Sequence, residues 1–381
     1  MRKCVILTGA GSASLWKVNG EDYISTSSIT KALCEKDEFF SNLYSYITNK
    51  FTNGSQVNFE TILHSIEVLF QYYRGGMQPF DFIQTALFKV DEEIIEMIKR
   101  SNPDNASIAM NDRYGEAINF IREEIFRYDD IIKVKSQKSC NDQIMLFLNL
   151  VHKHDCIIRA YTTNYDQMLI DCCPEDLHLF DGTVPVVNSS SIEFRQDIHR
   201  FDKHKINSFS DHCYYNLHGS IYWNWQHERF DSEKKSTFYL ENSYCKNIEY
   251  ELNESNPNEP ILLSPIITGY NKVQRIHFEP FLAFSNSFYR DCSDADCFIF
   301  IGFSFADPYL TNVILNSEIK TKKVLIIDPN PEGSQLIRYL NLDKPDNING
   351  LLKYHPKIWL FQKSFEDFLC VAEDILNDFF K

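Results

Sequence analysis

The stretch CVILTGAGSAS, residues 4–14, decides how the rest of the 381-residue chain is interpreted. Its first five residues form a short apolar run that is typical of a buried β-strand. The following turn, Gly9 to Ser14, resembles a dinucleotide-binding fingerprint in which Ser14 replaces the third glycine. Glycines let the backbone approach a pyrophosphate, and amides at the start of a helix favour its negative charge. The alternative is an ordinary tight turn from strand to helix.

Short apolar runs that end at polar or glycine residues recur farther along the chain. We predict strands over residues 156–161, 212–217, 296–301, 323–327 and 358–361. We predict helices between and after them, over residues 280–289, 308–317 and 365–379. Strands that alternate with helices indicate a mostly parallel sheet covered on both faces. The sequence therefore predicts an α/β fold with a Rossmann-like, doubly wound sheet.

Residues 58–151 follow a helical pattern instead. We predict four helices there, over Phe59 to Tyr73, Ile83 to Ile98, 112–128 and 142–151. Because this block comes after the first strand and its turn, we predict a helical insertion subdomain at 58–151 within a Rossmann-like domain of residues 1–57 and 152–381. Residues 17–58 show no clear pattern, and the polar and aromatic residues 221–260 predict an irregular excursion.

The candidate functional residues follow the ends of the predicted strands. They are Gly9, Asn164 in the run Thr162-Thr163-Asn164-Tyr165-Asp166, His218, Gly302 and Asp328. Ligands of open parallel sheets bind beyond the carboxyl ends of the strands. We therefore expect one site at this edge of the sheet.

Asn164 and His218 have the side chains that cleavage of a glycosidic bond to ribose would need. An asparagine amide can hydrogen-bond a ribose hydroxyl or hold a water without neutralising a cationic transition state; its alternative role is a turn with a helix cap. The unperturbed pKa of histidine suits base catalysis near neutral pH, and a structural histidine is the alternative.

The segments after the strands predicted at 296–301 and 323–327 carry further groups that could contact a ligand. Gly302 would permit the close approach of a ligand, and Ser304 could bind phosphate or ribose. Asp307, followed by Pro308, has the pattern of a helix N-cap with a proline in the first turn. The Asp328 carboxylate could bind two ribose hydroxyls, with a plain turn as an equal alternative.

Composition narrows the function classes. The formal charge is −15, from 38 basic and 53 acidic residues, which argues against direct binding to nucleic acid or anionic membranes. No apolar stretch is long enough for a membrane span. The 11 cysteines form no framework and no CxxC pair, so we expect reduced thiols in a cytoplasmic protein and no metal site.

The motifs GAGSAS, TTNYD, LHGS and IGFSF, in this order, resemble those of the sirtuin family, and more closely those of bacterial sirtuin-like proteins of antiphage defence. The resemblance covers roughly residues 1–30, 155–225 and 260–381. It implies that Asn164, His218 and Asp166 are catalytic, with His218 as the base acting on the ribose. It implies that the NAD-binding residues are Gly9, Ala10, Gly11, Ser12, Thr163, Gly302, Ser304 and Asp328, of which the last three would hold the adenosine half.

Two departures from the sirtuin pattern bear on the reaction. Deacylating sirtuins carry a four-cysteine zinc module after the histidine, whereas this chain has only Cys245 between His218 and Ser264. They also carry an extended motif after the glycine turn, where this chain has Leu15-Trp16-Lys17-Val18. Both departures argue against peptide deacylation and suit the defence relatives, which resemble NAD hydrolases.

The resemblance therefore implies an NAD hydrolase that releases nicotinamide and ADP-ribose, with NAD as a substrate and no zinc. The alternatives are an NAD-dependent protein deacylase or ADP-ribosyltransferase, and a non-catalytic NAD-sensing subunit. Some of the defence relatives form large homo-oligomers and some are encoded with a HerA-type ATPase, so we expect one or both kinds of partner.

Overall fold

Twelve strands are present in the residues that the computed structural model describes, which are 2–15, 25–50, 57–74, 90–102, 105–132, 138–185, 198–208, 210–228, 237–243, 264–268, 275–330, 346–348, 351–354 and 357–381. The strands are β1 (Arg2–Thr8), β2 (Cys156–Thr162), β3 (Thr183–Pro185), β4 (Ile198–Phe201), β5 (Cys213–Asn216), β6 (Trp223–Glu228), β7 (Thr237–Ser243), β8 (Cys297–Ile301), β9 (Lys323–Ile327), β10 (Asp346–Ile348), β11 (Leu351–Tyr354) and β12 (Ile358–Phe361). Eight of them form one sheet in the order β10-β11-β12-β9-β8-β1-β2-β5.

Six neighbouring strands of this sheet, from β12 to β5, run parallel. β11 and β10 continue the sheet antiparallel at the β12 edge. The chain starts at β1 in the middle and extends to β2 and β5 on one side and to β8, β9 and β12 on the other. This order is doubly wound, and it confirms the predicted α/β fold. Such a sheet has a switch point beside its first strand, where ligands of open α/β sheets bind.

The described α-helices cover both faces of the sheet. They are α1 (Thr26–Lys36), α2 (Glu38–Lys50), α3 (Phe59–Arg74), α4 (Glu92–Ser101), α5 (Ala106–Ile132), α6 (Lys138–Lys153), α7 (Met168–Asp171), α8 (Lys203–Ile206), α9 (Phe281–Asp294), α10 (Pro308–Asn316), α11 (Phe365–Leu369) and α12 (Ala372–Phe379). Side chains of β1 alternate between two cores: Val5 and Leu7 pack with α1–α5, α9 and α10, whereas Cys4 and Ile6 pack with α6, α11 and α12. The central strand is therefore buried on both faces, as its continuous apolar run predicts.

The helical block and the sheet share hydrophobic core. Residues of α3, α4 and α5 lie in one apolar cluster with β1, β8 and α9. α6, by contrast, packs on the opposite face of the sheet. The proposed boundaries at residues 58 and 151 stay a prediction.

Several elements were not predicted from the sequence, among them two pairs in segments for which we expected no clear pattern or an irregular structure. Residues 17–58 contain α1 and α2, which were not predicted; buried positions such as Ile29, Leu33, Phe40 and Leu43 keep helical spacing, but the break at Asp37 divides the pattern into two short pieces. The prediction that 221–260 is irregular was wrong for its described part, because β6 and β7 form a hairpin in a second sheet of order β3-β4-β7-β6.

The ends of most predicted helices shift by several residues, and two predictions differ in other ways. The helix predicted over 365–379 is two helices, α11 and α12, separated by Cys370 and Val371. Of the helix predicted from Ile83 to Ile98, residues 83–89 lie outside the described residues, and the remainder corresponds to α4.

Candidate functional site

The glycine turn after β1 packs directly against the turn after β8. Gly9 N donates to Ile301 O and Gly11 N donates to Gly302 O, each at 3.0 Å. A Cβ atom on Gly302 would lie 2.3 Å from the backbone of Gly11, and Gly302 also has a φ of +57°. These glycines are therefore required for contact between two turns of the protein itself. Ala10 and Gly11 remain exposed at the surface of the junction.

Asn164 is hydrogen-bonded to the glycine turn. Its Nδ2 donates to Gly9 O and to Ser12 Oγ, both at 3.2 Å, while the buried Ser12 Oγ donates to Gly9 O at 2.7 Å. The carbonyl of Gly9 can only accept, which fixes the orientation of the amide. Asn164 Oδ1 receives no hydrogen bond from the residues that the structure describes. The predicted association of the first two motifs is thus present, with the amide oxygen as the group left to bind a ligand.

The loop that carries Asn164 is fixed by strand-end residues. Thr163 N donates to Thr8 O at 3.0 Å, and Asn164 N donates to Thr162 Oγ1 at 3.0 Å. Asn216 Nδ2, at the end of β5, donates to the carbonyls of Asn164 and Asp166 at 3.2 and 2.8 Å. Asn216 was missed by the sequence analysis because it is the last residue of an apolar strand and follows no motif.

Asp166 is buried, and one oxygen of its carboxylate has a defined structural partner. Oδ1 accepts from Met168 N at 3.1 Å, close to the start of α7. The backbone carbonyl of Asp166 accepts from Asn216, as described above, and from the Tyr214 hydroxyl at 3.3 Å. These contacts favour a role in shaping the Asn164 loop over a direct electrostatic role.

His218 and Asp307 form a buried imidazole–carboxylate pair. His218 Nε2 lies 3.1 Å from Asp307 Oδ2, and the two side chains are 6% and 8% exposed. Asp307 Oδ1 accepts from Leu310 N at 3.0 Å, so the same carboxylate caps α10. The predicted N-cap is confirmed. Its pairing with His218 was missed, because nothing in the local pattern connects two residues that are 89 positions apart.

The turn that follows His218 is held in place by backbone contacts with the segment 264–268. Ile267 N donates to His218 O at 2.7 Å, and Gly219 forms a β-bridge with Ile266. Gly219 has a φ of +88°, and a Cβ atom there would lie 2.1 Å from Pro265 O. A glycine is therefore required next to His218.

Two helices of the helical block, residues 58–151, contact the same turns. On α5, Arg122 Nε donates to Ile221 O at 2.9 Å. On α3, Glu67 forms a buried ion pair with Arg275, whose Nη1 is 3.4 Å from Ile266 O. The Tyr165 hydroxyl donates to Ile267 O at 3.2 Å; burial, with Glu60 nearby, raises the pKa of this hydroxyl, so it stays neutral.

The residues predicted for the adenosine half lie at the ends of β8 and β9. Ser304 is exposed and its Oγ accepts from Ala306 N at 3.4 Å. Asp328 is half-buried and its Oδ1 accepts from Asn330 N at 2.7 Å. Burial raises the pKa of the Asp328 carboxyl, and the Asn330 amide partly offsets this.

The described residues contain neither a metal-binding cluster nor a membrane-spanning helix. No group of three or more His, Cys, Asp and Glu side chains there is arranged to hold a metal ion. No helix in the described part of the chain is both long and apolar enough to cross a membrane. Trp16 to Val18 and Cys245, on which the two departures from the sirtuin pattern rest, lie outside the described residues.

The sheet and its switch point define an α/β protein of the doubly wound class. Within it, residues 159–348 match the family model described as "SIR2-like domain". This SIR2-like segment includes Asn164, His218, Gly302, Asp307 and Asp328.

Two solved structures resemble the chain over most of its length. One, described as "The Structural basis of Sirtuin Substrate Affinity", is 12% identical, with 98% of this chain and 94% of that chain covered and a TM-score of 0.38. The other, a crystal structure of a SIR2 homologue–NAD complex, is 10% identical, with 100% and 91% covered and a TM-score of 0.39. No match was found among the curated proteins.

Proposed function

We propose that the protein hydrolyses the bond between nicotinamide and ribose in NAD⁺, giving nicotinamide and ADP-ribose, and that it serves antiphage defence by NAD depletion. The observation that carries the reaction is that four turns meet at the switch point of the sheet. They are the glycine turn after β1, the Asn164 loop after β2, the His218 turn after β5 and the turn after β8 that ends at Asp307. Hydrogen bonds join the Asn164 amide to the glycine turn, the glycine turn to the turn after β8, and His218 to Asp307. The SIR2-like match over residues 159–348 supports NAD as the substrate.

The turns offer complementary groups for the two halves of NAD. The exposed turn at Ala10 suits the pyrophosphate, because glycine-rich turns present amides to phosphate oxygens. The amides of Gly9, Gly11 and Ser12 donate to carbonyls of the protein itself. Ser304 and Asp328 suit the adenosine half, with the Asp328 carboxylate accepting from ribose hydroxyls, whereas Gly302 packs against the glycine turn. Thr163 and Asn164 would then line the nicotinamide-ribose end of the site.

The reaction breaks the bond from the ribose anomeric carbon to the nicotinamide nitrogen, and that nitrogen keeps the electron pair. The sugar becomes oxocarbenium-like, as in other glycoside cleavages. Asn164 Oδ1 accepts from a ribose hydroxyl or from the attacking water without adding charge. The water oxygen bonds to the anomeric carbon, and His218 accepts the released proton, a contribution of about 10²- to 10⁴-fold in rate. Asp166 holds the Asn164 loop in place.

Unrestrained NAD hydrolysis would harm the cell that makes the enzyme. We therefore include restraint by assembly in the proposal, through a homo-oligomer, a HerA-type ATPase partner, or both. We expect this restraint because loss of NAD⁺ harms the host cell and because the motifs resemble those of defence proteins.

The direct test is chromatography of the products formed from NAD⁺ by the purified protein, alone and with any co-encoded ATPase. We expect nicotinamide and free ADP-ribose in equal amounts. His218→Ala and Asn164→Ala should each remove most of this activity, whereas His204→Ala, at an exposed histidine of α8, should leave it unchanged. Wild-type rates in both site variants would refute the assignment. O-acyl-ADP-ribose from an acylated peptide would instead indicate a deacylase, and saturable NAD binding without nicotinamide release would indicate a sensor.

A further inference from the structure

We propose that Asp307 is a positioning residue that fixes the tautomer and orientation of His218, so that the imidazole acts as a base through Nδ1. This role rests on the proposed NAD hydrolysis and adds a residue to it. The residue was expected only to cap a helix.

The carboxylate of Asp307 is held at a fixed place by the helix that it caps. Its Oδ1 accepts from Leu310 N at 3.0 Å, which ties it to the first turn of α10. Pro308, at the first helical position, restricts the backbone there. The position of Oδ2 is consequently fixed, and the Nε2 atom of His218 lies 3.1 Å from this oxygen.

The imidazole is also held from its backbone side. Ile267 N donates to His218 O at 2.7 Å, and the adjacent Gly219 is packed against Pro265. Both members of the pair are therefore attached to independently anchored turns, one after β5 and one after β8. The fold therefore places the two side chains in contact.

The chemistry of the pair determines which ring nitrogen reacts. An ionised carboxylate can only accept hydrogen bonds, so the proton of neutral His218 resides on Nε2. The lone pair that can take a proton then belongs to Nδ1. The carboxylate further stabilises the imidazolium that forms in the reaction, as an orienting carboxylate does in a catalytic triad.

Asp307→Asn separates this role from helix capping. Asparagine caps helices about as well as aspartate, so α10 should be retained. Its Oδ1 can still accept from Leu310 N, but its amide Nδ2 then faces His218 and donates to Nε2. The ring is driven to the tautomer with the proton on Nδ1, which cannot act as the base. Asp307→Ser keeps a capping oxygen and removes the contact with the ring, and Asp91→Asn, at the N-cap of α4, is the matched control.

Two measurements test the proposal. In the first, kcat and KM for NAD⁺ hydrolysis are measured for the wild type and the three variants. We expect Asp307→Asn to lower kcat by about 10²- to 10⁴-fold, the size of a base contribution, with KM nearly unchanged and an unchanged thermal midpoint. Asp307→Ser should lower kcat as well, and Asp91→Asn should change neither constant.

The second measurement does not depend on activity. In protein labelled with ¹⁵N at histidine, His218→Ala identifies the His218 signals among the 11 histidines, and ring ¹⁵N shifts report the tautomer. We expect the proton on Nε2 in the wild type and on Nδ1 in Asp307→Asn.

The outcomes separate the two proposals. A wild-type kcat in Asp307→Asn, with His218→Ala inactive, would overturn the positioning role and leave NAD hydrolysis standing. An unchanged tautomer in a folded Asp307→Asn would also overturn it. A tautomer that switches as expected in a protein that never releases nicotinamide would support the pairing and refute the proposed function.

Discussion

Substitution of the buried ion pair between Glu67 and Arg275 tests whether the helical block stabilises the candidate site. Glu67 lies on α3, and Arg275 follows the segment 264–268, whose Ile267 holds the backbone of His218. The two side chains are 3% and 5% exposed, so the Arg275 charge depends on Glu67 for compensation. Glu67 depends mainly on Arg275, because the neighbouring His64 Nδ1 lies farther away, at 3.8 Å from Oε2. Arg275 also donates toward Ile266 O at 3.4 Å. We consider the variants Glu67→Leu, Arg275→Met and the two combined.

The burial of both charges sets the expected magnitude. Removing one member of a buried pair leaves an uncompensated charge, which costs about 3–5 kcal/mol of unfolding free energy. Replacing both members with apolar side chains removes the uncompensated charge and is often nearly neutral. The double variant should therefore be more stable than either single variant. The nearby Tyr114 hydroxyl does not replace the lost charge, because burial raises its pKa and keeps it neutral.

Urea unfolding followed by circular dichroism measures these differences, and NAD⁺ turnover measured on the same preparations links them to the site. The matched control is the exposed pair Lys31 and Glu35 on α1, with side chains 78% and 68% exposed. Its variants Lys31→Met and Glu35→Leu should each change stability by no more than about 0.5 kcal/mol. If the singles at Glu67 and Arg275 cost as little as the control, or if the double variant loses the sum of both singles, the argument from burial is wrong.

Two further predictions concern the turns of the sheet edge. Gly302→Ala should lower the unfolding free energy by at least about 2 kcal/mol in urea titration, because the φ of +57° is strained for alanine and the new Cβ would lie 2.3 Å from the backbone of Gly11. The control is Ala306→Ser, at an exposed position four residues farther along the chain. Equal stability of the two variants would contradict the prediction. Asp328→Asn should stabilise the protein at neutral pH and have less effect in acid. Burial raises the pKa of this carboxyl in the folded state, so wild-type stability is lost as the pH rises from the ordinary carboxyl pKa through the raised one. The difference between wild type and variant in urea midpoint, measured from acid to neutral pH, checks this; a difference that does not change with pH would contradict it.

The parallel strands were predictable because each one is buried on both faces. β1, β2, β8 and β9 have almost continuous buried side chains, so they appear in the sequence as apolar runs. The residues after such runs lie at one edge of the sheet whatever the strand order is. This is why Gly9, Asn164, His218, Gly302 and Asp328 could be assigned to one edge without a structure.

The contacts among these residues could not be predicted, because they depend on strand order. The sequence does not state that β1 lies between β2 and β8, or that β5 lies beyond β2. Gly302 was expected to let a ligand approach, whereas the structure shows the backbone of Gly11 there. The supporting residues Asn216, Arg122 and Arg275 act from strand ends and helices that carry no motif.

Strand order also explains why the pair of His218 and Asp307 bears on the function. His218 follows β5 and Asp307 follows β8, and these strands are separated by β2 and β1 in the sheet. Three strand spacings amount to about 14 Å, so the two turns must extend toward each other across the ends of β1 and β2 to bring the side chains within 3.1 Å. The glycine turn and Asn164 follow those two middle strands. A ligand held by them would therefore lie between the strands whose turns carry His218 and Asp307, which is the arrangement that the proposed hydrolysis needs.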